Sequence, residues 1–237
     1  GAFFGCPHLS NITIPDSVVE ISDYAFYDCS SLTEVTIPES VTSIGSSAFE
    51  RCISLTSVNI PDSITSIGYG AFSACENLSS ITIAASVTSI GHTAFEHCDA
   101  LSSITIPGTV ATVGSFAFYN CDSLVDVTIE EGVVSIGDDA FHGCFRLPSI
   151  TLPDSVTSIG AKAFYNCNAL TDVTLGNGIT SIGSEAFGAF GYKSKVVYQE
   201  YDQAKYLGTD DNPYFALISR RYDAVGCNIH PDTKVIA

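Results

Sequence analysis

The chain has 237 residues, a formal net charge of −17 and 46% hydrophobic residues, with nine lysines and arginines against 26 aspartates and glutamates. So large an acidic excess disfavours nucleic-acid binding and direct docking on an anionic membrane. No apolar run approaches the roughly 18 residues that a membrane-spanning helix needs, and no signal peptide, polybasic segment or lipidation motif is visible.

The order in the chain comes from one spacing. Cys6, Cys29, Cys52, Cys75, Cys98, Cys121, Cys144 and Cys167 lie 23 residues apart. Phe26 to Phe187 and Leu32 to Leu170 recur with the same interval. A fixed period of this size marks a stacked repeat protein, in which each unit contacts only its neighbours. The first residues already match the interior of a unit, since Ala2-Phe3-x-x-Cys6 repeats Ala25-Phe26-x-x-Cys29. The expectation is therefore a piece of a longer array, and its lack of targeting signals says nothing about location.

One unit runs from Leu32 to Ser54. Val35 and Ile37 alternate, so the first strand should point them inward and Glu34 and Thr36 outward. Pro38 lacks an N–H and should end that strand. Val41 to Ile44 is a second short extended run. Gly45 recurs as Gly68, Gly91, Gly114, Gly137, Gly160 and Gly183, which calls for a positive φ or a close backbone approach. Ala48-Phe49-x-x-Cys52 should turn the chain back as a short helical turn. Stacked units then share one core of Leu, Val, Ile, Ala, Phe and Cys columns.

The Leu-x-x-Val-x-Ile opening, Ile-Pro-x-Ser-Val and Ala-Phe-x-x-Cys together resemble the BspA-like leucine-rich-repeat family. The pattern departs from the commonest leucine-rich form, because Ser40 stands where Asn or Cys is usual and Val41 comes one position early. The resemblance implies a right-handed repeat solenoid, an arc with a parallel β-sheet on its concave side and short turns or helical turns on the other. It also implies a non-enzymatic, adhesin-like scaffold, extracellular or at the cell surface, that binds host or neighbouring-cell proteins. It brings no catalytic residues to carry over. A carbohydrate-binding or spacer module of a larger surface enzyme, and a purely architectural array, stay open.

Residues 1–187 thus form the solenoid, about eight coils. The register breaks after Phe187, where Phe190 replaces the next cysteine. Lys195 to Tyr201 and Tyr206 to Ile218 are strand-like by their Val, Tyr and Ile content, with a turn at Gly208 to Pro213. Cys227-Asn-Ile229 and Ile236-Ala237 realign with Val58-Asn-Ile60 and Ile67-Gly68. Residues 188–223 are therefore an insertion and 224–237 the start of a further coil.

The cysteine column raises the question of bridges or metal. Coils about 4.8 Å apart in register point their cysteines the same way, which suits neither disulfide geometry nor tetrahedral ligation. Buried, reduced thiols are expected, which would suit an anaerobic or reducing habitat. His8, His92, His97, His142 and His230 show no ligand spacing, and no cofactor is expected. Asp210-Asp211-Asn212 lacks the spaced acids of a calcium loop, and whether an ion binds there stays open. Asn11-Ile-Thr13 and Asn77-Leu-Ser79 fit a glycosylation sequon, relevant only in a eukaryotic secretory setting. The Thr13 to Thr174 row is first a strand feature, with a glycan as a possible ligand.

No catalytic constellation appears. Residue variety lies instead beside the Ala-Phe turn, where Tyr27, Glu50, Ser73, Glu96, Tyr119, His142 and Tyr165 share a column, with Ile53, Phe116 and Phe145 near it. Residues 1–187 carry twenty carboxylates against Arg51, Arg146 and Lys162, whereas 188–223 hold five of the nine cationic side chains. Tyrosine and arginine are favoured interface anchors. The candidate partner-binding residues are therefore Tyr27, Tyr119 and Tyr165 on the coils, and Tyr198, Tyr201, Tyr206, Tyr214, Arg220 and Arg221 in the insertion. A protein ligand is the expected partner.

Overall fold

The computed structural model describes residues 1–188 in full and, beyond them, the backbone of four strands, Gln199–Tyr201, Ala204–Leu207, Ala216–Arg220 and Val235–Ile236. Residues 1–188 form a stack of coils, each with a leading strand and a two-residue second strand. The leading strands run from Asn11–Thr13 to Asp172–Leu175, and the second strands from Glu20–Ile21 to Ser181–Ile182. Neighbouring coils pair in parallel in the 23-residue register, Ile12 opposite Val35, Val58 opposite Ile81 and Ile150 opposite Val173. The repeat period is therefore also the strand register.

The second strands form one unbroken eight-stranded parallel sheet. The leading strands form parallel sheets of four, two and two strands, with breaks after Ser80–Thr82 and after Asp126–Ile129. The recurrent glycine explains why the second ladder holds. It follows the second strand directly, and its N–H continues the ladder, as in Gly91 N–H to Ile67 O at 2.9 Å. A Cβ on Gly91 would lie 2.7 Å from the Gly68 carbonyl, and one on Gly114 2.6 Å from the Gly91 carbonyl. Of the two reasons for a regular glycine, close approach is the one that applies, because no member of this column has a positive φ.

Apart from Gly132, positive φ occurs at two other columns. One runs through Tyr24, Ser47, Gly70, Thr93, Phe116, Asp139, Lys162 and Glu185, and the other through Asp28, Arg51, Ala74, His97, Asn120, Gly143 and Asn166. These replace the helical turn expected at Ala-Phe-x-x-Cys; no helix occurs among the described residues. The hydrogen bonds give the reason. Thr93, Phe95 and His97 donate their N–H groups forward to Ser115, Ala117 and Tyr119 of the next coil. Ala94, Glu96 and Cys98 close tight turns to the residue three back. A helix would spend every N–H within its own segment. The left-handed residues rotate alternate N–H groups outward, so that the coil edge is also a ladder.

The core lies between these ladders. Leu32 to Leu170, Cys29 to Cys167 and Ala48 to Phe187 are buried in every coil. The phenylalanines form one ring stack from Phe3 to Phe187, with neighbouring centroids 5.1–5.5 Å apart and planes within 11°. Two polar columns bind the coils as well. Ser40 Oγ donates to Val18 O at 2.7 Å, and Ser86 Oγ to Ile64 O at 2.8 Å. The cysteines do the same, each from Cys29 to Cys167 donating Sγ–H to the carbonyl of the phenylalanine 26 residues earlier at 3.1–3.4 Å. All eight described cysteines are free of disulfides. Burial pushes the Cys52 and Cys167 thiols up to about 12 and raises those of Cys75, Cys98 and Cys144 well above the ordinary range.

Beyond residue 188, Gln199–Tyr201, Ala204–Leu207 and Ala216–Arg220 pair antiparallel in sequence. Val235–Ile236 pairs in parallel with Ala216–Leu217 and lies beside Ser181–Ile182. Ile236 thus sits next to the second-strand column with which its sequence aligns.

Candidate functional site

The turn ladder sets an exposed edge of the stack. The inward residues of each turn, alanine and phenylalanine, are fixed by packing, whereas the positions just before and after them vary in type and run from buried, as at Ser47, Ser73 and Thr93, to exposed, as at Lys162. On this edge six rings make a continuous chain across five coils. Tyr69, 54% exposed, stacks on His92 at 5.5 Å. His92 meets Phe116 edge-on at 5.2 Å, and Phe116 lies 5.5 Å from Tyr119. Tyr119, His142 and Tyr165 continue at 4.7 and 5.1 Å, each ring tilted by about 45° to the next.

Charge is built into this stripe. Asp139 Oδ1 lies 2.6 Å from His142 Nδ1, and both side chains are mostly covered. An acceptor there fixes the imidazole between its two tyrosine neighbours. Lys162 Nζ sits 5.6 Å from the Tyr165 ring centroid and 3.7 Å from Glu185. Glu96 occupies the ring column one coil before Tyr119. At the edge beyond, Asp99 has its carboxyl raised by desolvation and then by Asp122, with His97 3.8 Å away acting against the shift.

The structure divides the sequence candidates. Tyr119 and Tyr165 share one site, joined by His142 between them. Tyr27 does not belong to it. It stacks on Phe4 at 4.8 Å and packs against Tyr24 at 5.8 Å, and Glu50, Ser73 and Glu96 stand between it and Tyr119 in the column. Tyr201, Tyr206 and Arg220 lie on the described strand backbones. Tyr198, Tyr214, Arg221, Asp210 and Asp211 lie outside the described residues. The sequence reading missed Tyr69, His92, Asp139 and Lys162 as members of the stripe. They sit one or two positions before the Ala-Phe pair, and aligning the coils on that pair brings them to the same edge.

Among the described residues no serine, threonine or cysteine side chain is hydrogen-bonded to His142, whose Nδ1 pairs with Asp139. No group of three or more His, Cys, Asp or Glu side chains could hold a metal ion among the described residues. A second surface feature lies on the leading strands. A depression of about 430 Å³ spans the first ladder break, lined by Ser80, Thr82, Ser103, Thr105 and Asp126 with apolar neighbours.

Comparison with known proteins agrees with this architecture. The family model described as a BspA-type leucine-rich-repeat region matches in six copies over residues 1–115 and 88–202. No curated protein matches. Among solved structures, a leucine-rich-repeat protein from Bacteroides ovatus is 30% identical over 96% of this chain, with a TM-score of 0.78. A leucine-rich cell surface protein from Faecalibacterium prausnitzii is 34% identical over 88%, with a TM-score of 0.65. A leucine-rich-repeat protein from T. pallidum is 29% identical over 75% of each chain, with a TM-score of 0.56. The chain spans 60% and 54% of the length of the first two.

Proposed function

Because the chain belongs to the BspA-type leucine-rich-repeat family, we propose that it is a non-enzymatic interaction scaffold at a bacterial cell surface that binds proteins of a host or a neighbouring cell. The observation that carries this reading is the chain of six exposed or half-buried rings from Tyr69 to Tyr165 on the turn edge. Core positions are committed to packing against the coils on either side. The turn edge is where the repeat leaves side chains free to vary, and aromatic side chains there offer large contact area at low entropic cost. A surface location is supported by the similarity to the cell surface protein of Faecalibacterium prausnitzii. Residues 188–223 are a second candidate contact, through Tyr198, Tyr201, Tyr206, Tyr214, Arg220 and Arg221, because they bring cations to an otherwise acidic chain.

A carbohydrate-binding role is the competing reading, favoured by the hydroxyl-lined depression on the leading strands. The test is to display the 237-residue chain to a panel of purified extracellular proteins and to a glycan array. Saturable binding to a protein, with the glycans silent, is the expected result. Binding confined to glycans overturns it. Deleting residues 192–221 with a short Gly-Ser bridge then assigns the contact to the insertion if binding is lost, and to the coils if binding persists in a folded protein.

A further inference from the structure

We propose that the ring stripe from Tyr69 to Tyr165 is a docking strip for an extended polypeptide segment rich in lysine and arginine. The inference rests on the reading of the chain as a protein-binding scaffold and names the class of partner. Three features carry it.

The first is shape. Contacts run without a gap through Tyr69, His92, Phe116, Tyr119, His142 and Tyr165, along the axis on which the coils stack. The chain of rings is therefore long and narrow, like an extended peptide, rather than a closed pocket for a small molecule.

The second is the orientation of the rings. Tyr69 stacks on His92 within 20° of parallel, whereas Tyr119, His142 and Tyr165 are tilted to one another by 44° and 45°. The remaining pairs are steeper, His92 against Phe116 at 73° and Phe116 against Tyr119 at 51°, so the row offers a succession of tilted faces, edges, hydroxyls and imidazole nitrogens rather than one flat platform. Sugar recognition by stacking favours a single flat platform. A peptide needs apolar edges and hydrogen-bonding groups.

The third is charge. The coils carry twenty carboxylates against three cationic side chains over residues 1–187, and Glu96 and Asp139 stand within the stripe itself. One cation is already held here, since Lys162 lies over the Tyr165 ring and beside Glu185. That pair shows the kind of contact a partner's lysine or arginine would make, a cation against a ring with a carboxylate behind it. Electrostatic complementarity of this sort steers encounter and rejects acidic partners.

The test uses the 237-residue chain and two fluorescent peptides of the same apolar content, one carrying lysines and arginines and the other glutamates at those positions. Fluorescence anisotropy should show binding of the basic peptide alone, weakening as salt is raised. The double variant Tyr119→Ala/Tyr165→Ala should weaken it by about tenfold or more, the loss of two aromatic anchors. Glu96→Gln/Asp139→Asn should weaken it and flatten its salt dependence, with the new amide oxygen still able to accept from His142. Circular dichroism confirms that each variant is folded. Equal binding of both peptides, or of wild type and ring variant, overturns the proposal, as does capture of a glycan that the ring variant loses. If the panel protein binds all these variants as well as wild type, the scaffold reading stands and the strip alone fails. If neither peptides nor panel proteins bind, both fail.

Discussion

Cys98 donates its thiol hydrogen to the carbonyl oxygen of Phe72 at 3.3 Å, one coil and one turn back in the chain. The same carbonyl also accepts the backbone N–H of Cys75 at 3.3 Å. The periodic cysteine is therefore a small apolar residue and an inter-coil donor at once. A serine here would inherit a partner.

The first prediction follows from that geometry. Cys98→Ser keeps a donor facing Phe72 O, although the shorter C–O bond loosens the contact. Cys98→Ala loses the bond but leaves Phe72 O paired with Cys75 N–H. Each should cost about 1 to 2 kcal/mol, the range of a lost hydrogen bond plus a small void. Urea unfolding of the two variants should place them close together. A serine variant less stable than the alanine one by more than about 2 kcal/mol would mean that the hydroxyl is buried without its partner.

The thiols also set an alkaline limit. The ordinary thiol value is 9.0, and burial raises Cys52 and Cys167 to about 12, with Cys75, Cys98 and Cys144 also well raised. Folding holds these protons, so their contribution to stability is complete below pH 9 and is lost as pH rises from there toward 12. Each contributes a slope of up to about 1.4 kcal/mol per pH unit in that window, and several act together. Stability should be insensitive to these groups near neutrality and fall steeply above pH 9. A Cys75→Ala/Cys98→Ala variant should show a shallower fall by circular dichroism. In native protein at pH 8, iodoacetamide should modify half-buried Cys6 well before the buried cysteines from Cys29 to Cys167. Rapid labelling of Cys98 in folded protein would refute the burial argument.

The core was legible in the sequence for a physical reason. Leucine, phenylalanine and cysteine columns are each packed against copies of themselves, so one tolerated residue type recurs. The left-handed positions were not legible, because their requirement falls on the backbone. Thr93 and Phe116 meet it at φ 55° and 58° as Gly70 does at 56°, each accepting a cost of about 1–2 kcal/mol offset by the forward hydrogen bond. Gly70, Gly143, Asn120 and Asn166 were the available hints, since Gly and Asn adopt that region most easily. The stripe was half legible. Tyr119 and Tyr165 share a column, but His92 to Phe116 crosses from one column to another, and an alignment of identical positions does not show such a contact.

Charge gives a third prediction. With twenty carboxylates against three cationic side chains on residues 1–187, the folded coils repel themselves, and salt should relieve that repulsion. Raising sodium chloride from about 0.02 M to about 0.5 M shortens the screening length several-fold. The melting temperature should rise by about 2 to 4 °C for each kcal/mol of repulsion removed. A melting temperature that falls with salt would show that Arg51–Asp28 and Lys162–Glu185, both exposed pairs, matter more than the net excess.

Two glycines in neighbouring coils separate the two demands on the backbone. Gly91 has an ordinary φ, but a Cβ there would sit 2.7 Å from the Gly68 carbonyl carbon and oxygen and 2.8 Å from Tyr69 N. Those are backbone atoms held in the ladder by Gly91 N–H to Ile67 O, so they cannot give way without parting the coils. Gly70 has φ +56°, yet its nearest obstacles are the side chains of Ser47, Glu50 and Thr93 at 3.3–3.5 Å, and non-glycine residues occupy the same conformation in the coils on either side. Gly91→Ala should therefore cost about 3 kcal/mol, the upper end of overpacking, whereas Gly70→Ala should cost about 1 kcal/mol, the left-handed penalty alone. A sequence argument from φ would order them the other way. Thermal melts of the two single variants decide it, and a Gly70 variant less stable than the Gly91 variant would show that the second-strand ladder has room that the coil geometry denies.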